Sequence, residues 1–298
     1  MNEFYTDYSK YISRFFPGKK IQKISVNIGT GCPNRDGTIG TGGCIYCRND
    51  AFTPSYCLTP TDISSQIEAG KRFFRKKYDS MGFLVYFQSY TGTYRLSSEK
   101  LREIYRTAMY AEGVEGLIIG TRPDCLPPEI ISMLSELNKE KPIFVELGIE
   151  TSHDSTLAVI NRGHTWQQSE ESILKLSEAG LHVGVHLIAG LPGENEGMLM
   201  ETINQVCRLP VESIKLHHLQ VLRGTPLSEL VETKKLKILR FDTNEYLDLC
   251  VKIIERIPRN IAIERFLASS PPEMVISPKW GLKNYEFTNL LLKKLRTK

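Results

Sequence analysis

Between Gly31 and Arg48 the sequence reads G-C-P-N-R-D-G-T-I-G-T-G-G-C-I-Y-C-R, which crowds Cys32, Cys44 and Cys47 into one short stretch. Thiolates ligate zinc and iron–sulfur clusters, and form lasting disulfides only in oxidising compartments. The chain has seven cysteines, an odd count, and its N-terminal M-N-E-F-Y-T-D-Y lacks the apolar centre of a secretion signal. A reducing, cytoplasmic setting is therefore expected, and crowding there favours metal or cofactor ligation. Cys57, Cys125, Cys207 and Cys250 are scattered and read as ordinary buried residues.

Two ligation chemistries compete. A structural zinc ion closes a tetrahedron of four ligands, so Cys57 or a histidine would have to join the three thiols. A [4Fe–4S] cluster has four irons, and three thiolates leave one of them open to an outside ligand. The glycines between Cys32 and Cys44 permit positive φ and close backbone approach, as wrapping a bulky cluster requires.

The elements that must position these thiols follow from periodicity. Strand candidates are Ile21–Ile28, Phe83–Phe87, Gly116–Gly120, Ile143–Leu147, His182–Ile188 and Ser213–Leu219, short runs rich in Val, Ile and Phe. Helix-period segments lie between them: 62–78, one capped by Ser97-Ser98-Glu99, one opened by Pro127-Pro128, and one from Thr165 to just before Gly180. Two more carry Leu199, Ile203 and Val206, then Tyr246, Cys250, Ile253 and Ile257. Alternating strands and helices predict an α/β fold with a parallel sheet. Six units suit a partial (βα)6 TIM-like barrel of parallel strands better than a flat sheet, and the pattern alone does not separate the two. The expected organisation is an N-terminal segment 1–20, a barrel core 21–257 and a small C-terminal extension 258–298. The extension contains one further strand at Asn260–Phe266 and a terminal helix. In parallel α/β folds ligands bind at the C-terminal ends of strands, and the cysteine loop follows the first.

The composition, 41% hydrophobic and 24% charged in 298 residues, is that of a globular protein, without an apolar run long enough to cross a membrane. Net charge is +4, with basic clusters at Lys71–Lys77, Lys234–Lys237 and Lys293–Lys298. Each reads alone as a solvated face, and together they allow a polyanion such as RNA.

The cysteine stretch resembles that of the radical S-adenosylmethionine (SAM) enzymes, where an aromatic precedes the last cysteine, as Tyr46 does here. The usual spacing of that superfamily is C-x3-C-x2-C; here the first gap is eleven residues. The long gap is similar to that of the branch related to the catalytic subunit of Elongator, in its YhcC/YtqA-like group. Further matches are V-N-I-G-T-G-C-P-N-R-D-G around Cys32, G-T-R-P-D-C-L at 120–126 and E-L-G-I-E-T at 146–151. I-N-R-G-H-T at 160–165 and H-L-I-A-G-L-P-G-E at 186–194 extend them.

The resemblance implies an enzyme with a [4Fe–4S] cluster on Cys32, Cys44 and Cys47, whose open iron chelates SAM. It implies reductive cleavage of SAM to a 5′-deoxyadenosyl radical, fed by an external electron donor of the flavodoxin or ferredoxin type. Tyr46 is expected against the adenine, Gln88 and Ser89 in the stretch that grips the methionine amino group, and Glu150 on the ribose. Arg162 is expected on the carboxylate, and Ile188, Gly190 and Leu191 along the adenine. Structural readings stand beside these: Glu150 as a cap, Arg162 in an ion pair, Gly190 in a tight turn. Tyr90, Arg122, Asp124, His186 and His217 are substrate-side candidates, with Tyr94, His153, His164 and Lys215 behind them. The substrate implied is tRNA, at the C5 side chain of a wobble uridine, for instance carboxymethylaminomethyl to aminomethyl in a 2-thiouridine. A small metabolite or protein substrate, and a non-catalytic zinc- or Fe–S-binding module, are the alternatives.

Overall fold

The computed structural model describes residues 3–59, 61–75 and 81–298. The strands are β1 (Thr6–Asp7), β2 (Ile21–Val26), β3 (Gly82–Phe87), β4 (Val114–Thr121), β5 (Ile143–Glu150), β6 (His182–Ala189), β7 (Ser213–His218), β8 (Val221–Leu222), β9 (Ala262–Arg265) and β10 (Val275–Ser277). The helices are α1 (Tyr8–Ile12), α2 (Ile63–Arg75), α3 (Ser98–Met109), α4 (Pro128–Asn138), α5 (Asp154–Val159), α6 (Trp166–Glu178), α7 (Glu196–Val206), α8 (Pro226–Glu232), α9 (Thr243–Arg256) and α10 (Asn284–Arg296). All six expected strands form, and the expected helix signals act where they were read. Ser97 caps α3 through the Lys100 amide, Thr165 and Gln168 make a capping box on α6, and Gly180 follows α6 at φ +76°.

Eight strands make one all-parallel sheet in the order β1-β9-β7-β6-β5-β4-β3-β2. In a flat sheet β9 and β2 would stand about 29 Å apart, at roughly 4.8 Å per strand. Yet Lys23 Nζ on β2 lies 2.6 Å from Glu264 Oε2 on β9. The sheet is therefore curled until its two sides meet across the interior, a partial barrel. The partial barrel expected from sequence is the one observed, with eight strands in its sheet. The further strand read at Asn260–Phe266 forms as β9 beside β7, and β1 pairs with it in turn.

Alternation of side chains decides the two faces. Val85, Phe87, Leu117, Ile119, Val145 and Leu147 point outward into the main core under the helices. Leu84, Tyr86, Ile118 and Phe144 point inward, where Tyr11, Ile12 and Phe16 from α1 and its exit close the barrel floor. Phe144 packs edge-on to Phe15 at 5.0 Å and to Tyr11 at 6.1 Å. This floor keeps the polar interior open at one end only, toward the strand C-termini.

Of the basic clusters, Lys71 departs from the solvated-face reading. It is 1% exposed and pairs with Glu68 at 2.6 Å. Lys76, Lys77 and Tyr78 lie outside the described residues. No helix of the described residues is long and apolar enough to cross a membrane.

Phe144→Ala removes the ring around which the floor packs and should cost about 3–5 kcal/mol. Urea unfolding followed by far-UV circular dichroism measures it; an unchanged midpoint would contradict the plugged floor.

Candidate functional site

At the C-terminal ends of the strands a cavity of about 230 Å³ is lined by all three clustered cysteines. The loop that carries them leaves β2 through Gly29 and Gly31, at φ +72° and +74°, a region where a side chain would be strained. It is then pinned to the segment after α5. Asn34 Nδ2 donates to the Asn161 carbonyl, the Ile45 amide to the Ile160 carbonyl at 3.0 Å, and Asn161 Nδ2 to the Gly43 carbonyl at 2.8 Å. On the far side the Leu227 amide of α8 donates to the Ile45 carbonyl at 2.9 Å, and Arg35 Nη2 to the Cys47 carbonyl at 2.9 Å. The I-N-R-G stretch thus acts as the seat of the cysteine loop.

Arg162 in that stretch is buried. Its Nη1 faces Cys44 Sγ at 3.6 Å, while Nη2 donates to the Gly148 carbonyl and lies 3.5 Å from Glu150 Oε1. A Cβ on Gly148 would stand 2.7 Å from Arg162 Nη2 and 2.9 Å from Glu150 Oε1, so only glycine leaves room for this pair. Glu150 itself sits at φ +67°, where β5 slips register against β6, and that kink turns its carboxylate to the cavity. Of the structural readings for this pair, the Arg162 ion pair forms and the Glu150 cap does not: His153 is the N-cap of α5. Among the described residues Arg162 Nε has no hydrogen-bond partner.

Three thiols on one cavity could serve one ion or a larger body. Among the described residues no three His, Cys, Asp or Glu side chains are set to hold a single metal ion. Cys57, the fourth zinc ligand considered from sequence, is fully buried with its thiol on the Pro54 carbonyl at 3.5 Å and does not line the cavity. Burial pushes the Cys47 thiol up to about 11, and Cys44 adds to it, with Arg35 opposing. A cationic metal centre is the partner that offsets crowded thiolates. The donor set, spread round a cavity with the unpartnered Arg162 Nε beside it, fits a cluster bound at three irons.

Below the thiols the barrel interior holds a buried ionic group that the sequence reading largely missed. Glu146 on β5 accepts from Tyr86 Oη at 2.6 Å and Lys23 Nζ at 3.0 Å; Lys215 Nζ lies at 2.5 Å and His186 Nε2 at 2.7 Å. Lys215 also meets Glu264 at 3.1 Å. Burial alone would raise the Glu146 carboxyl, but Lys215 and Lys23, helped by His186, hold it well below the usual carboxylate range. Burial, then Lys215, lowers His186, with Glu146 opposing. The available signal was a period of two: Glu146 and Glu150, and Lys215 and His217, recur at alternate positions of otherwise apolar strands.

The other expected residues fall as follows. Tyr46, Gln88, Tyr90, Arg122, Ile188 and His217 line the same cavity, as do Glu150, Arg162 and His186. Tyr46 and Ile188 share an apolar patch with Leu191, which is buried in the wall and does not line the cavity. Gly190 is also behind the wall, at φ +88° against the Leu239 carbonyl. Ser89 is beside the lining, its hydroxyl 3.3 Å from that of Thr53. Arg122 grips Asp124 through two 2.8 Å bonds and donates to the Arg162 carbonyl at 2.8 Å, while Asp124 faces a second cavity with Tyr94 and Cys125. His153 Nε2 meets the Met198 carbonyl at 2.9 Å, and His164 is buried with its pKa lowered to about 3 by burial and Arg162. Neither lines the cysteine cavity.

A curled parallel half-barrel with a three-thiol loop at its open end defines a metallocofactor-binding α/β barrel. The sequence profile of the Radical SAM superfamily matches residues 26–206, and that of the Radical_SAM C-terminal domain matches 211–297. The chain belongs to the radical SAM superfamily, whose members use a [4Fe–4S] cluster and SAM. Among curated relatives, YtqA of Bacillus subtilis (strain 168) is 36% identical over 94% of this chain and 86% of its own length. A tRNA uridine(34) acetyltransferase of Methanocaldococcus jannaschii is 25% identical over 66% of this chain and 35% of its own. Among solved structures, the archaeal Methanocaldococcus infernus Elp3 superposes with a TM-score of 0.66 at 18% identity, over 94% of this chain. The chain spans 63% of that structure, less than two thirds of its length.

Cys44→Ala should abolish cluster assembly while the circular dichroism spectrum stays folded, because the core lies under the helices. Iron analysis after anaerobic reconstitution reads it; a full iron complement in the variant would contradict the ligand assignment. Glu146 and Glu264 are both held low, so the stability they lend is present above the unfolded glutamate pKa of about 4.3 and lost as pH falls below it. Glu146→Gln should destabilise by about 3–5 kcal/mol at pH 7, because buried Lys215 and Lys23 are left to share the single carboxylate of Glu264. Urea titrations at pH 7 and pH 4 should show the gap to wild type narrowing in acid; a constant gap would contradict the paired carboxylate.

Proposed function

We propose that this radical SAM enzyme modifies tRNA, acting on the C5 side chain of a wobble uridine. The conversion we assign is carboxymethylaminomethyl to aminomethyl in a 2-thiouridine. The observation that carries the reading is the single cavity that joins three cysteine thiols to a polar barrel interior. The relative named as a tRNA uridine(34) acetyltransferase supplies the substrate class. Exposed basic side chains at Lys234, Lys235 and Lys293 suit the phosphate backbone.

Cys32, Cys44 and Cys47 hold the cluster in this reading. Bound there, the cluster and SAM supply a one-electron reductive cleavage that yields a 5′-deoxyadenosyl radical. The chain's own groups orient it. Tyr46 and Ile188 flank the adenine, Glu150 accepts from the ribose hydroxyls, and Gln88 and Ser89 border the methionine amino group. Arg162 positions Cys44 and Glu150 through its two Nη atoms and meets the carboxylate through Nε. Gly190 and Leu191 support the adenine wall from behind. Tyr90, Arg122, His186 and His217 border the substrate, and Asp124 fixes Arg122. The plugged floor excludes water from one end. An external one-electron donor of the flavodoxin or ferredoxin type reduces the cluster, and the setting is the cytoplasm.

The test is a comparison of modified nucleosides in tRNA from cells with and without this gene. Carboxymethylaminomethyl nucleosides should accumulate at the expense of aminomethyl ones in the deletion strain. An unchanged wobble profile would overturn the tRNA reading and favour a small metabolite or protein substrate.

A further inference from the structure

The interior beneath the thiols contains three cations, Lys23, Lys215 and Arg265, against two carboxylates, Glu146 and Glu264. The two lysines account for both carboxylates. Lys23 lies 3.0 Å from Glu146 and 2.6 Å from Glu264, and Lys215 lies 2.5 and 3.1 Å from the same pair. Arg265, at the end of β9, is left over. Its nearest carboxylate oxygen is Glu264 Oε1 at 4.0 Å, and among the described residues its guanidinium makes no hydrogen bond. Its side chain is only 24% exposed and lines the cysteine cavity.

Beside it His217 lines the same cavity, touching the His186 ring at 5.4 Å and making no hydrogen bond among the described residues. Burial, then Arg265, holds His217 far below its ordinary pKa, so it is a neutral imidazole with a donor to offer. A largely buried guanidinium without an acceptor is costly unless a ligand supplies one. The planar fork matches two oxygens of a carboxylate, and one surplus positive charge matches a monoanion rather than a phosphate dianion.

We propose that Arg265, with His217 beside it, forms a carboxylate-recognition subsite in the substrate cavity, making Arg265 a specificity-determining residue. This rests on the tRNA reading for the source of the carboxylate, the end of the C5 side chain. The subsite lies on the β7–β9 side of the barrel, whereas Glu150 and Arg162 serve SAM beside β5. Substrate and SAM carboxylates therefore have separate partners.

Two measurements on reconstituted holoenzyme with SAM test it. Phenylglyoxal labelling of Arg265, mapped by mass spectrometry, should slow at least threefold in acetate relative to chloride at equal ionic strength, with exposed Arg106 unaffected. Equal labelling of Arg265 in both salts, or stronger protection by inorganic phosphate than by acetate, overturns the carboxylate assignment. Second, a synthetic anticodon stem-loop carrying carboxymethylaminomethyluridine should bind wild type at least tenfold tighter than its methyl ester. That preference should shrink to within twofold in Arg265→Gln and survive in part in Arg265→Lys. Equal affinity for acid and ester in wild type overturns the subsite and leaves the tRNA reading standing. Acetate protection without binding of either stem-loop supports the subsite and overturns the tRNA reading instead.

Discussion

The guanidinium of Arg162 lies between the barrel and the cysteine loop, with Cys44 Sγ at 3.6 Å on one side and Glu150 and the Gly148 carbonyl on the other. Each charge-assisted contact of this kind is worth roughly 1.5–3 kcal/mol when buried. Its neighbours are chosen to permit it. Gly148 has no Cβ to intrude, Glu150 accepts a left-handed backbone, and Asn161 ties the chain beside it to Gly43. Arg122 secures the same segment from behind through the Arg162 carbonyl, and is itself held by Asp124. A loop rich in glycine has many conformations, and this chain of contacts selects the one in which three thiols line a common cavity.

The second constraint is the closure of the sheet. Inward side chains from strands far apart in order must share a narrow interior, so charges there find partners across it. Glu146 gathers contacts from β2, β3, β6 and β7, and Lys23 ties β2 to β9. Such a group is neutral or costly in net stability compared with apolar packing, so its presence is better explained by what the cavity must do. The plug of Tyr11, Ile12 and Phe16 seals the other end with apolar packing. One molecule thus has a dry floor, an ionic middle and a thiol-lined mouth.

Much of this was legible in the sequence, and the limits are physical. Six strands were found because short Val, Ile and Phe runs between glycines and prolines have few other uses. Asn260–Phe266 read as a strand, but four residues with a polar second half say nothing about which strand they join. The five-residue α1 carries too few turns to show a period, yet it forms the floor. The cysteine spacing marked the mouth directly. That Arg162 should touch Cys44 depends on a contact across 118 positions of sequence, and no local pattern carries it. Asp124 and Leu191 sit in motif stretches next to true lining residues, and motif adjacency does not say which side of a wall a side chain occupies. Lys71 looked like part of a solvated run, and only the packing of α2 on β2 and α3 buries it.

The central claim is a cluster held by three thiols with one iron left for SAM. Mössbauer spectroscopy of anaerobically reconstituted, iron-57-labelled protein, with and without SAM, addresses it most directly. The account predicts four irons per chain in which one site is distinct, and predicts that this site alone changes its isomer shift when SAM is added. Four equivalent sites that do not respond to SAM, or an iron-free protein that binds one tetrahedral zinc ion, would contradict it.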